Sequence, residues 1–325
     1  MKYFIALIFL FLWILPTKAQ YTEIVNSKRP GFSDSPYSVG TGVMQFESGL
    51  FYNETDNLVQ WARPHSYGTE LLFRWGFYSE KLELNVYTSF QEDVVKAMKD
   101  FSLLEETPDE FGNYLPYDKA TKINGFSNAF VGLKYLFFEQ EFEDKRKEVR
   151  SWKKRTAFDK KRLIPSVGVL VGVHTDLVSK GYKDDLSFKG ALLLQNDFSN
   201  RFVMITNLIA DRIGSDEAFY SYLITATYSM NMQWSFFFEH QGKFPKIRDK
   251  EFQLGGGLAY LWSEDLQFDI SARTNIFANY SHLYFNTGFT WRWDRHVDTY
   301  TIKNAPPPPK TKRKKKGFFK RLFGG

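Results

Sequence analysis

The chain carries five histidines, His65, His174, His240, His282 and His296, the side chains best suited to proton transfer near neutral pH. His174 stands two residues before Asp176, near enough for a carboxylate to orient an imidazole as a general base. A hydrolase would need a nucleophile beside them, and no Gly-x-Ser-x-Gly elbow supplies one. A two-residue His/Asp spacing also arises readily by chance. No His-x-x-x-His pair offers metal spacing, and no phosphate-cradling loop is present. The absence of cysteine excludes a disulfide scaffold, a thiolate metal site and an acylated N-terminal cysteine. The sequence therefore predicts a non-enzyme with no catalytic residue, metal or cofactor, and places His174 as a solvated residue at a strand end near the outer rim.

A second chemical set is larger. Glu47, Glu70, Arg74, Glu83, Lys134, Glu239, Asp269, Arg273 and Arg292 all sit at polar positions of segments that alternate polar and apolar residues. The segment 283–293 shows the pattern: Leu283, Phe285, Phe289, Trp291 and Trp293 share one parity, and Tyr284, Asn286, Gly288, Thr290 and Arg292 the other. A period of two puts the sets on opposite faces of a strand. Spans of about 9–11 residues, apolar outward and polar inward, are what a closed barrel in lipid requires. An Arg or Lys facing lipid at mid-bilayer would cost about 2–4 kcal/mol, so the nine ionisable residues are expected to face the lumen. They would form a charged constriction that selects or gates solutes, or a paired network that fills a narrow barrel and fixes its register. Glu239, Asp269 and Arg273, on neighbouring strands, are the candidates for one network.

The elements that must position these residues can be counted. The pattern predicts an all-β fold, an antiparallel transmembrane β-barrel of about 12 strands near 42–53, 68–77, 81–91, 124–138, 164–176, 186–197, 201–210, 219–229, 232–241, 251–262, 266–274 and 282–293. Tight connections at 78–80, 198–200, 230–231 and 263–265 alternate with longer ones at 54–67, 92–123, 177–185, 211–218, 242–250 and 275–281. Short periplasmic turns and long outer loops are the rule for outer-membrane barrels, and an even strand count then puts both termini in the periplasm. The 33 Phe, 18 Tyr and 8 Trp would furnish the aromatic girdles at both membrane surfaces.

Residues 1–19 read as a signal peptide: Lys2, an apolar core over 3–15, and Thr17-Lys18-Ala19 before the cleavage point. That apolar run is too short for a spanning helix, which needs roughly 20 residues. Residues 20–40 form a lead-in or plug segment, 41–293 the barrel and 294–325 a Pro-hinged tail. One connection breaks the length rule. The insert 139–162 falls on the short-turn side, holds ten Lys/Arg against six Asp/Glu, and suits a basic periplasmic helix. In the tail, Pro306–Pro309 is a stiff spacer, and the part from Lys303 onward has nine Lys/Arg and no Asp/Glu, while the whole chain is only +6. Trp152, Lys153, Lys154 and Arg155 of the insert are candidates for docking onto anionic lipid or a protein partner. Lys314, Lys315, Lys316, Phe318, Phe319, Lys320 and Arg321 of the tail are candidates for the same role. Nucleic acid is not expected as a partner, because the signal peptide sends the tail elsewhere.

The opening of the mature chain, Arg29-Pro-Gly-Phe-Ser-Asp-Ser-Pro36 followed by Gly42-Val-Met-Gln-Phe-Glu-Ser-Gly49, resembles that of the MetA-pathway of phenol degradation family of Gram-negative outer-membrane barrels. Phe238-Glu239-His240 and Leu266-Gln-Phe-Asp-Ile-Ser271 resemble two further signatures of that family, and the resemblance spans roughly 29–293. Asn286, Gly288, Trp291 and Trp293 also match the signal read by the barrel-assembly machinery. The resemblance implies a transporter- or porin-like barrel of the outer membrane for small solutes, hydrophobic ones included. The insert and the tail, which transport does not require, suggest an alternative: an accessory barrel docked into a larger outer-membrane assembly or secretion complex. Residues Arg29, Pro30, Ser35 and Pro36 are the candidates to plug the periplasmic mouth, with an ordered lead-in as the alternative.

Overall fold

A computed structural model describes residues 24–56, 65–95, 121–140, 158–179, 182, 185–247, 249–276 and 281–296. The strands are β1 (Met44–Asp56), β2 (His65–Gly76), β3 (Leu82–Val95), β4 (Thr121–Phe138), β5 (Ser166–His174), β6 (Ser187–Asp197), β7 (Phe202–Ile213), β8 (Phe219–Ser229), β9 (Trp234–Pro245), β10 (Glu251–Ser263), β11 (Leu266–Ile276) and β12 (Ser281–Trp293). Each pairs antiparallel with its neighbours in sequence, and β1 pairs with β12, so the sheet closes on itself. Closure leaves no edge, which is the condition for a sheet to sit in hydrocarbon where unpaired N–H and C=O groups find no water.

The alternation read from the sequence is the alternation of the two faces. In β12, Leu283, Phe285, Phe289, Trp291 and Trp293 are exposed on the outside, while Asn286, Thr290 and Arg292 are buried inside. Outward Leu133, Val171, Leu208, Ile224, Leu258 and Ile270 continue the apolar band around the barrel. Exposed aromatics rim it at both ends: Trp75, Trp234, Trp262 and Trp293 toward the short turns, and Tyr52, Tyr67, Phe90, Phe188 and Tyr220 toward the long connections. These are the interfacial girdles of an outer-membrane barrel. No helix among the described residues is long and apolar enough to cross a membrane.

The strand count matches the expectation, but several strands run further than the pattern does. β1, β3, β7 and β9 continue three or four residues past their predicted ends, all toward the long connections. There the sequence turns polar on both parities, as in Gln91-Glu92-Asp93, while the ladder of β3 with β4 persists to Val95. The alternation marks the lipid-facing stretch, and hydrogen bonding outlasts it. Of the basic insert, the structure describes Glu139, Gln140 and 158–162; Lys160–Leu163 make one 3-10 turn whose cap is the Asp159 carboxylate, accepting from Lys161 N at 3.1 Å. Arg162 Nη1 donates to Asp197 O at 2.6 Å, tying this turn to the end of β6. The rest of the predicted helix, with Trp152, Lys153, Lys154 and Arg155, lies outside the described residues. So do the signal peptide and the basic tail.

Residues 24–43 do not lie along the rim. Val25 N donates to Glu264 O in the β10–β11 turn at 2.9 Å, and the chain then passes into the lumen and returns to begin β1. Gly40 and Gly42, with φ of 93° and 81°, make that last turn in a backbone region that glycine enters without strain.

Candidate functional site

An inner segment without regular secondary structure cannot satisfy its own backbone, so the barrel wall must supply acceptors. The carboxylates predicted to face inward do this. Glu47 of β1 accepts from Lys28 N at 3.1 Å and Arg29 N at 3.2 Å. Glu83 of β3 accepts from Val39 N at 2.8 Å. Glu239 of β9 accepts from Phe32 N at 3.1 Å and Ser33 N at 3.0 Å. Asn207 of β7 closes a pair with Asp34, accepting from its N–H at 2.7 Å and donating to its carbonyl at 2.9 Å.

The wall cations compensate the carboxylates. Arg74 of β2 donates from Nε to Glu83 at 2.8 Å and from Nη1 to Glu47 at 3.1 Å, and reaches Asn26 O at 2.6 Å. Lys134 of β4 bridges Glu83 and Asp34, 3.1 Å from each. Arg74, Glu47, Glu83 and Lys134 are at most 1% exposed, so the group is a dry ionic cluster. Its members come from four adjacent strands, β1 to β4, which consecutive antiparallel pairing brings into register.

The inner segment answers with Arg29. Its guanidinium donates to Asp269 of β11, from Nη2 at 2.9 Å and Nε at 3.2 Å, and also to Asn286 of β12, with Glu70 at 3.9 Å. Gly49 and Gly288, opposite each other in the β1–β12 ladder, make the slot in which it lies. The three atoms nearest a Cβ on Gly49 all belong to the Arg29 guanidinium; one on Gly288 would also strike Ser48 O. The Arg29–Pro30 bond is cis. Pro36 rests against Gly168 of β5, and Ser35 Oγ donates to Gln195 of β6 at 2.8 Å. Gly49→Ala is therefore expected to displace Arg29 while the wall still assembles. Heat-modifiable migration on gels should stay normal while ion conductance in planar bilayers rises; normal conductance in a folded Gly49→Ala barrel would refute the slot.

The network predicted for Glu239, Asp269 and Arg273 is split. Arg273 of β11 pairs with Glu239 and with Gln241, donates to Gln253 at 3.1 Å, and stacks 3.7 Å from the ring centre of Phe32. Asp269 instead faces Arg29. Arg292 stands apart at the terminus rim, bound to Asp265 at 2.8 Å and near Asp294 at 3.6 Å. Strand parity gave the right face for all nine residues but not their partners, because an ordered segment from elsewhere in the chain lies between them.

Beyond the inner segment, toward the long connections, lies a cavity of about 440 Å³. Its floor includes Lys28, Arg29 and Phe32. One wall is apolar: Phe130, Leu170, Ala191 and Leu193 pack together inside the barrel, with Tyr87 and Ile209 against them. The other wall is polar, with Gln241, Lys243, Gln253, His282 and Tyr284. The apolar patch was legible as a lapse in alternation, since Ala191-Leu-Leu-Leu194 puts apolar residues on both parities. His174 also belongs here, which corrects its reading as a solvated residue beside Asp176. It is 4% exposed, with Nε2 2.7 Å from Asp211 and Nδ1 3.1 Å from Asn128. Its hydrogen-bond partners are a carboxylate and an amide, not a serine or threonine hydroxyl. Lys189 Nζ completes the group, 2.6 Å from the same Asp211. Asp211 lies 37 positions from His174, across two strand pairings, which no local spacing reveals.

Residues 27–293 match the family model described as the MetA-pathway of phenol degradation. The chain belongs to this family. The match begins in the inner segment and ends with β12, so most of the docked segment and the whole wall of this MetA-pathway family barrel lie within the shared region. No curated protein matches its sequence. Among solved structures, an outer-membrane channel from Pseudomonas putida F1 is similar with a TM-score of 0.50 at 9% identity, over 83% of this chain and 100% of that one. The P. putida toluene transporter TodX gives a TM-score of 0.40 at 10% identity, over 82% and 94%. The KdgM porin gives 0.43 at 8%, over 75% and 98%. At these identities the likeness concerns the fold.

Proposed function

We propose that this family member is an outer-membrane channel for small solutes with an apolar body, closed at rest by residues 24–43 acting as a plug, with both termini in the periplasm. The observation that carries the reading is the apolar patch of Phe130, Leu170, Ala191 and Leu193 facing a lumenal cavity, where a water-filled porin would present polar side chains. A pocket of several hundred Å³ that sets an apolar patch beside placed polar groups suits a small organic molecule. The charged residues of the lower lumen hold the plug, and the sidedness follows from the short turns lying at the plug's end.

Gram-negative cells producing the full chain should accumulate a small radiolabelled aromatic tracer faster than cells without it. Leu193→Asn should return uptake to the background rate while the barrel remains assembled. Equal uptake with and without the protein would defeat the proposal.

A further inference from the structure

The polar groups of the cavity sort by whether the protein uses them. Arg29, Lys189 and Arg273 each hold a carboxylate, Asp269, Asp211 and Glu239 respectively. Two cations that line the same space do not. Lys28 rises from the plug and Lys243 from β9, and neither ammonium makes an ion pair among the described residues; Glu251, the register partner of Lys243 across the β9–β10 ladder, is held by His282 and Gln253 instead. Lys243 Nζ stands over the face of Phe219, 5.6 Å from its centre. Neutral donors are also left over. The Asn85 amide nitrogen and the Ser221 hydroxyl are buried, line the cavity and have no hydrogen-bond partner among the described residues. The Asn53 amide oxygen is also buried without a partner among the described residues, but it is an acceptor and adds nothing to an anion site. Ser221 and Lys243 are register partners across the β8–β9 ladder, so hydroxyl and ammonium stand side by side on the inner face.

A buried donor without an acceptor costs about 1–3 kcal/mol, so donors and unpaired ammonium groups that line one cavity suit an acceptor that arrives from outside. The apolar patch of β4, β5 and β6 lies on another part of the same lining. Lys189 marks the boundary, its Nζ 5.6 Å from the ring centre of Phe130 while it holds Asp211.

We propose that the cavity binds amphipathic organic anions, small aromatic or alicyclic carboxylates. The apolar body would lie against Phe130, Leu170 and Leu193, and the carboxylate would accept from Lys243, Ser221 and Lys28. This rests on the reading of the cavity as a solute chamber and narrows its ligand. A neutral hydrocarbon would leave both ammonium groups and both donors unmet. A compact inorganic anion would leave the apolar wall unused.

The test is equilibrium binding to the full-length protein in detergent, with benzoate, benzyl alcohol and acetate as probes. Benzoate should bind more tightly than either of the others. Lys243→Gln and Lys28→Gln should each weaken benzoate by about tenfold, the loss of one charge-assisted hydrogen bond, and leave benzyl alcohol unchanged. Leu193→Asn should weaken benzoate and benzyl alcohol together and spare acetate. Benzyl alcohol binding as tightly as benzoate, or benzoate indifferent to both lysine substitutions, overturns the anion specificity and leaves the apolar chamber standing. No binding of benzoate or benzyl alcohol overturns the chamber itself, and with it the solute reading above.

Discussion

Deletion of residues 24–40 is expected to turn a nearly silent barrel into an open one, with single-channel conductance in planar bilayers rising by more than about tenfold. The expectation follows from size. A barrel of about 8 strands is filled by its own side chains and one of 16–18 leaves an aqueous channel, so twelve strands enclose a lumen that closes only if something is put in it. What fills the lower half here is the segment itself, bonded to Glu47, Glu83, Glu239, Asn207 and Asp269 on different strands. The wall should survive its loss, because Arg74 keeps Glu47 and Glu83, Lys134 keeps Glu83, and Arg273 keeps Glu239. Normal gel migration of the deletion variant, together with high conductance, is the expected pair of results. A folded deletion variant as silent as the full chain would mean that the closure lies elsewhere.

The second large effect concerns stability. Arg74→Met should destabilise the barrel by about 3–5 kcal/mol, measured by urea unfolding of the detergent-solubilised protein through tryptophan fluorescence. Arg74 supplies both nearest guanidinium contacts of a cluster in which Glu47 and Glu83 are almost wholly buried. Removing it leaves Glu47 without a cation within ion-pair distance and Glu83 with Lys134 alone. The desolvation cost of the charge that remains, rather than the attraction lost, dominates such a change. The triple variant Arg74→Met, Glu47→Gln, Glu83→Gln should therefore recover a large part of the loss, although Lys134 then depends on Asp34. If Arg74→Met costs less than about 1 kcal/mol, the cluster is wet and its ion pairs behave as surface ones.

Particular residues show which features a linear reading reaches. Glu47, Arg74, Glu83, Lys134, Glu239, Asp269, Arg273 and Arg292 were placed on the inner face from parity alone, and each is buried there. Parity works because lipid penalises a charge on the outside whatever its neighbours are. It is silent about partners: Asp269 was grouped with Arg273, four residues along the same strand, but it binds Arg29, 240 positions away. The plug candidates Arg29, Pro30, Ser35 and Pro36 stood out as a motif. Their meaning lies in what they touch, a slot of two glycines for Arg29 and the bare Gly168 backbone for Pro36. A strand-end position suggests a solvated His174, but burial there depends on how far the neighbouring strands extend, and β6 and β7 bring Lys189 and Asp211 to one group with it.

By itself the sequence determined the barrel, its strand number and which residue of each neighbouring pair faces lipid, because these follow from a two-residue period and a solvent that accepts no unpaired backbone and little charge. The tertiary structure alone decided that the lumen has two halves: a lower one packed with residues 24–43 and an ionic cluster, and an upper one holding an apolar wall and two lysines that make no ion pair among the described residues. The physical reason is that lumenal neighbours are set by barrel closure and strand register, which join residues as distant as Ser27 and Thr290 at 2.6 Å, and no local pattern encodes a contact across the inside of a ring.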